Sequence, residues 1–190
     1  MPEYPARKPN RLPGFDYAQN GAYFVTVCTK GKEPFLWVAN PPACETYPVG
    51  ATIGRPPSGP PSPYLSAIGV LAEQAIWKIP EHYPAVTVTR YAVMPNHVHF
   101  LLEIEAGVHG RAMHAPTIGR IVQHWKGNVS KAAGRPLWQK SFHDHVIRGA
   151  AGYQMIWNYI DSNPATWRKD CFYIPIPIPI PIHIPKENLS

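Results

Sequence analysis

Cysteine is scarce in this chain of 190 residues. Cys28, Cys44 and Cys171 are odd in number, widely spaced and never in a CxxC pair. That argues against a disulfide framework or a cysteine-ligated zinc site and fits a reducing cytosol. Long apolar runs are also lacking, and none approaches the roughly 20 residues needed to span a bilayer. The opening MPEYPARKPNR has no apolar core, so the sequence predicts no signal peptide, no membrane partner and a cytoplasmic location. Acidic residues are few, 12 against 18 Lys plus Arg, which leaves a formal net charge of +6 before the nine histidines count.

The basic excess is uneven. Residues 106–150 hold Arg111, Arg120, Lys126, Lys131, Arg135, Lys140 and Arg148 against one acid, Asp144. Trp125, Trp138 and Phe142 lie among them. A basic block interleaved with aromatics suits a phosphate backbone with stacked bases. A solvated basic surface kept for solubility gives the same composition. The hydrophobic content of 45% is ample for a core.

Proline, with 24 copies, punctuates the chain in two dense zones. Residues 40–63 contain eight prolines and three glycines, which reads as an exposed loop or insertion. Residues 174–185 (IPIPIPIPIHIP) form a dipeptide repeat with every second backbone donor removed, so residues 174–190 read as an extended low-complexity tail. The expected organisation is one domain over 1–173, with an insertion at about 40–63 and that tail.

Between these zones the periodicity predicts strands over Ala22–Thr29, Val86–Met94, His97–Glu105 and Ser141–Arg148. It predicts helices over Leu65–Tyr83, over Pro116–Ala133 with Pro116 opening and Gly134 closing it, and over Ala151–Asn163 before Pro164. The order β-α-β-β-α-β-α is an α+β pattern. It fits a ferredoxin-like (split βαβ) antiparallel sheet with an additional C-terminal helix that carries Tyr159.

Two short words carry the chemistry. Side chains alternate along a strand, so His97 and His99 point the same way and can chelate one ion. Two surface histidines on a half-exposed strand fit the same word. Tyr159 and Asn163 are four apart and stack on one side of the last helix. An amphipathic tyrosine at the core edge, followed by an Asn-Pro helix stop, fits that word too. Joined, two imidazoles and an amide oxygen leave coordination positions open for phosphate, a mixed site that accepts Mg²⁺ or Mn²⁺. A phenol ionises near pH 10 and needs such help to act as a nucleophile. His143 and His145, flanking Asp144, form a competing pair on one strand face.

The stretches RLPGFDYAQNGAYFVTVCTKGKEPFL, YAVMPNHVHFLLEI, TIGRIVQHWKGNVSK and LWQKSFHDHVIRGAAGYQMIWNYIDSNPATWRKD resemble the REP-associated tyrosine transposases. These belong to the insertion-sequence-200-like, single-tyrosine HUH transposase superfamily. The stretches occur in the family's order across most of Arg7–Tyr173. The resemblance implies that His97 and His99 are the metal ligands, Asn163 the third ligand and Tyr159 the nucleophile. It also implies a partner, a hairpin-forming DNA repeat with a single-stranded flank, cut through a 5′-phosphotyrosine. The basic segment Arg111–Arg148 would contact the hairpin. The expected state is monomer or homodimer, according to whether the last helix completes its own site or a partner's. Two alternatives stay open: a non-catalytic hairpin DNA or RNA binder, and a metal-dependent hydrolase using His97, His99 and His143.

Overall fold

The computed structural model describes residues 19–38, 64–105 and 116–174. The proline-rich stretch at 40–63, the tail from residue 175 and Arg111 lie outside the described residues.

The strands are β1 (Gly21–Cys28), β2 (Val86–Val93), β3 (His97–Ile104) and β4 (His143–Ile147). They form one antiparallel sheet in the order β2-β3-β1-β4. That is the split βαβ arrangement expected from the element order. The helices are α1 (Ala67–Trp77), α2 (Ile79–His82), α3 (Ile118–Ala132) and α4 (Gly149–Ser162), the last of which contains Tyr159.

Alternation along the strands divides the sheet into two faces. One carries Tyr23, Val25, Val27, Val88, Tyr91, Val98, Phe100 and Leu102, all buried, with α1 and α3 packed over it. The other carries Phe24, Thr26, His97, His99 and Leu101, and α4 lies against its β2–β3 side. The apolar core therefore occupies one side of the sheet and the polar chemistry the other.

Several local expectations need correction. The helix expected over Leu65–Tyr83 is two helices, broken at Lys78 because Pro80 has no amide hydrogen for the i−4 carbonyl. Pro116 does not open α3. Thr117 caps it, its hydroxyl accepting from the Arg120 amide at 3.3 Å, and the helix starts at Ile118. Gly134 does close α3, with φ of 67° and amide bonds from Gly134 to the Lys131 carbonyl and from Arg135 to the Ser130 carbonyl. β4 is shorter than expected, and α4 begins two residues early, at Gly149.

Trp125 is corrected as well. It is 2% exposed, donates its indole hydrogen to the Ala72 carbonyl at 3.2 Å and meets Phe100 edge-on. Trp138 packs on Trp125, with ring centroids 4.6 Å apart. Both indoles belong to the core between α3, α1 and the sheet, so neither is available to stack on a base.

Candidate active site

The turn at Pro95-Asn96 sends the chain from β2 into β3 and sets His97 and His99 on the face away from α1 and α3. Both histidines are buried, at 0% and 1% exposure. Their Nε2 atoms lie 2.9 Å apart.

The hydrogen bonds around them constrain the tautomers. Asn96 donates its Nδ2 to the Phe172 carbonyl at 2.8 Å, which fixes the amide's orientation. Its Oδ1 then accepts from His97 Nδ1 at 2.9 Å, so the lone pair of His97 sits on Nε2. His99 Nδ1 meets the Thr26 hydroxyl at 2.9 Å. That hydroxyl both donates and accepts, so it serves either tautomer of His99. With Nδ1 protonated, His99 also presents a lone pair on Nε2, and two such lone pairs at this distance call for a cation between them.

A proton is a poor candidate for that cation. Burial and then the charge of Lys32 push the His97 pKa down to about 3. Burial and then His97 hold His99 well below its ordinary value. The imidazoles are therefore neutral near pH 7, the form that ligates metal.

Two oxygen donors join them. Asn163 is 2% exposed, its Nδ2 stands 3.3 Å from His99 Nε2, and its Oδ1 is buried with no hydrogen-bond partner. Turning the amide over brings that orphaned oxygen toward the imidazoles. Asp170, in the turn after a 3₁₀ segment at Trp167–Lys169, is the second. Its Oδ2 lies 4.0 Å from His97 Nε2 and its side chain is 2% exposed. The ligating atoms of His97, His99 and Asp170 all lie within 4.8 Å of one another. Two neutral imidazoles, an unsatisfied amide oxygen and a carboxylate suit a divalent ion with oxygen preference, and the residues fit the expected metal.

Asp170 escaped the sequence reading. It follows Asn163 by seven residues, beyond Pro164, in a stretch without periodicity. It returns to the site because Phe172 docks there: its carbonyl accepts from Asn96 and its ring stands 4.9 Å from the ring of His97.

Tyr159 is half-exposed, at 38%. Its hydroxyl lies 3.4 Å from His99 Nε2 and donates to Asp170 Oδ2, also at 3.4 Å. Its ring meets Phe24 and His99 edge-on. Burial, then the charge of Asp170, push its pKa up to about 12. The phenol thus sits at the candidate ligand cluster in its protonated form, and a cation beside Asp170 would favour the phenolate.

His143 shares this face, because it pairs with Thr26, which in turn pairs with His99. Two strand spacings, roughly 10 Å, separate His143 from His99. Among the described residues it stands outside the ligand cluster, so the trio His97, His99 and His143 is not assembled.

The basic residues divide into groups. Arg120, Lys126 and Lys140 line a groove of about 490 Å³ together with Thr117, Gln123 and Phe142. Lys126 is partly spent inside the fold, donating to the carbonyls of Gln139 and Lys140. Lys131 and Arg135 are exposed at the far end of α3, where Arg135 lies over the Phe35 ring. Arg148 is exposed at the junction of β4 and α4. Among the described residues, no helix is long and apolar enough to cross a membrane.

No family model matches the chain. An uncharacterized protein of Haemophilus influenzae is 29% identical over 187 residues, covering 88% of this chain and 93% of that protein. Among solved structures, the chain is similar to a REP-associated tyrosine transposase bound to a REP hairpin. The TM-score is 0.54 at 20% identity, over 88% of this chain and 74% of that one. At that identity the likeness is one of fold alone.

Proposed function

We propose that this protein is a transposase-like single-strand DNA endonuclease and strand transferase that acts at hairpin-forming repeats through a phosphotyrosine on Tyr159. The observation that carries the reading is the 3.4 Å separation between the Tyr159 hydroxyl and His99 Nε2 within one chain. A buried pair of neutral imidazoles can ligate a cation, and a partly exposed tyrosine stands beside it.

His97, His99, Asn163 and Asp170 would hold a divalent ion, Mg²⁺ or Mn²⁺. When bound, it neutralises phosphate charge and favours ionisation of a nearby phenol. Asn96 and Thr26 hold the two imidazoles in ligating orientation. Phe24 and His99 fix the tyrosine ring from two sides, and Asp170 accepts the hydroxyl hydrogen bond.

In the reaction, Tyr159 Oη forms a bond to phosphorus as the bond from phosphorus to the 3′ oxygen breaks. The phenol proton leaves through Asp170 or solvent, and the departing 3′ oxygen takes up a proton. The strand then carries a 5′-phosphotyrosine and a free 3′-hydroxyl. Attack of a 3′-hydroxyl on that phosphotyrosine rejoins strands, because one phosphodiester replaces another. The groove of Arg120, Lys126 and Lys140 offers a surface for the backbone of the hairpin.

The test is incubation of a labelled hairpin oligonucleotide bearing a single-stranded flank with the protein and Mn²⁺ or Mg²⁺. Cleavage at one position that leaves a free 3′-hydroxyl and stops on chelation supports the reading. Cleavage that persists in excess chelator, or that releases a 5′-phosphate without a protein-bound strand, overturns it.

A further inference from the structure

β2 carries a register irregularity that the periodic pattern does not announce. Thr87 pairs with Glu103 and Val88 with Leu102, but the next pair is Arg90 with Leu101. Thr89 is the extra residue of a β-bulge. Directly opposed residues share a face, so the bulge puts Arg90 on the face of Leu101 and His99. Without it, Arg90 would oppose Phe100 and point a guanidinium into the core beneath α1 and α3. The bulge reverses the phase of the strand at this position.

On that face, Arg90 meets α4. Its Nη2 donates to Asp161 Oδ2 at 2.9 Å, and its Nε lies 2.8 Å from Asp161 Oδ1. Its guanidinium also stands 4.3 Å from the Trp157 ring centroid. Trp157 and Asp161 are one turn apart, so a single side chain grips one stripe of the helix. Such a forked contact with ring stacking is specific to arginine.

The grip matters because α4 is lightly buried. Ile160 is its only buried residue. Successive residues are about 100° apart around a helix, so Asp161 and Tyr159 project to opposite flanks of Ile160. With Ile160 against the sheet and Asp161 held toward β2, Tyr159 is turned away from β2, where Phe24 of β1 and His99 of β3 meet it. Tyr153, Ile156 and Trp157 pack against the core only in part, so the apolar face constrains the roll of the helix weakly, and the roll decides where the phenol oxygen goes.

We infer that the bulge at Thr89 and the Arg90 side chain form a clamp that sets the roll of α4, which makes Arg90 a positioning residue for Tyr159. The inference rests on the proposed role of Tyr159. Arg90 would act through the helix it holds rather than on the phosphate.

The test compares wild type, Arg90→Gln, and the swap Arg90→Asp with Asp161→Arg. Amide hydrogen exchange is read on α4 and on β1 and β3, beside Mn²⁺ affinity and the rate of adduct formation with a hairpin oligonucleotide. In Arg90→Gln, the α4 amides exchange about tenfold faster while the strands keep wild-type protection. Adduct formation slows about 10- to 100-fold at unchanged Mn²⁺ affinity, as expected for a misplaced nucleophile. The swap restores α4 protection in part. Unchanged α4 exchange in Arg90→Gln overturns the clamp. So does equal loosening of helix and sheet, or a swap whose helix exchanges as fast as in Arg90→Gln. If wild type forms no adduct, the reading of Tyr159 fails, and the exchange data still decide the clamp.

Discussion

Tyr159 Oη and Asp170 Oδ2 lie 3.4 Å apart, and the same carboxylate reaches toward His97 Nε2 at 4.0 Å. One side chain thus faces both the proposed nucleophile and the proposed ion. As long as no cation offsets it, Asp170 opposes ionisation of the phenol. With one in place, it would become part of the proposed cage.

Asp170→Asn is therefore expected to act in two directions. It removes a ligand, and Mn²⁺ affinity falls about tenfold or more. It also removes a negative charge beside the phenol, so the Tyr159 pKa drops from about 12 toward its ordinary value. Calorimetric titration checks the first effect. Ultraviolet titration against a Tyr159→Phe background checks the second. An unchanged phenol ionisation would show that Asp170 does not act on Tyr159.

His143→Ala is expected to leave Mn²⁺ affinity within about twofold, since two strand spacings separate His143 from His99. His97→Ala and His99→Ala should abolish measurable binding. Equal losses in all three variants would mean that β4 contributes to the metal site.

How much of this was legible in the sequence differs residue by residue. His97 and His99 could be paired because strand alternation is strict, and Tyr159 with Asn163 because helix spacing is. Trp125 was readable too: Ile118, Ile121, Val122, Trp125 and Val129 form one helical stripe. The lysines and arginines beside it drew the reading toward a surface. Asp170 and the Thr89 bulge were not legible. The first is returned to the site by a tertiary contact at Phe172, and the second is one unpaired residue in a run of ordinary β-formers.

The buried histidines tie stability to pH. The His97 pKa in the folded chain, about 3, lies below the ordinary 6.5, so the unfolded chain binds the proton more readily. Stability of the metal-free protein therefore rises with pH between those values and is lost as pH falls through that window, by on the order of several kcal/mol. Urea unfolding at pH 7.5 and pH 5 should show a large drop in midpoint for wild type and a smaller drop for His97→Gln. Parallel drops in the two proteins would contradict the assignment.

The groove on α3 predicts a salt signature. Arg120→Ala and Lys140→Ala should each weaken hairpin binding regardless of sequence, and each should reduce the slope of log K against log salt by about one. Trp125→Ala should instead cost about 3–5 kcal/mol of stability, because the indole is core. A stable Trp125→Ala protein with weakened binding would restore the stacking role that its burial removes.

The most direct measurement is mass spectrometry of the protein after reaction with a hairpin oligonucleotide in Mn²⁺, followed by nuclease trimming and proteolysis. The expected result is a nucleotide mass on the phenol of Tyr159, absent in Tyr159→Phe, which still binds the hairpin within a few fold. A nucleotide on any other residue, or a denaturation-resistant adduct that survives in Tyr159→Phe, would contradict it.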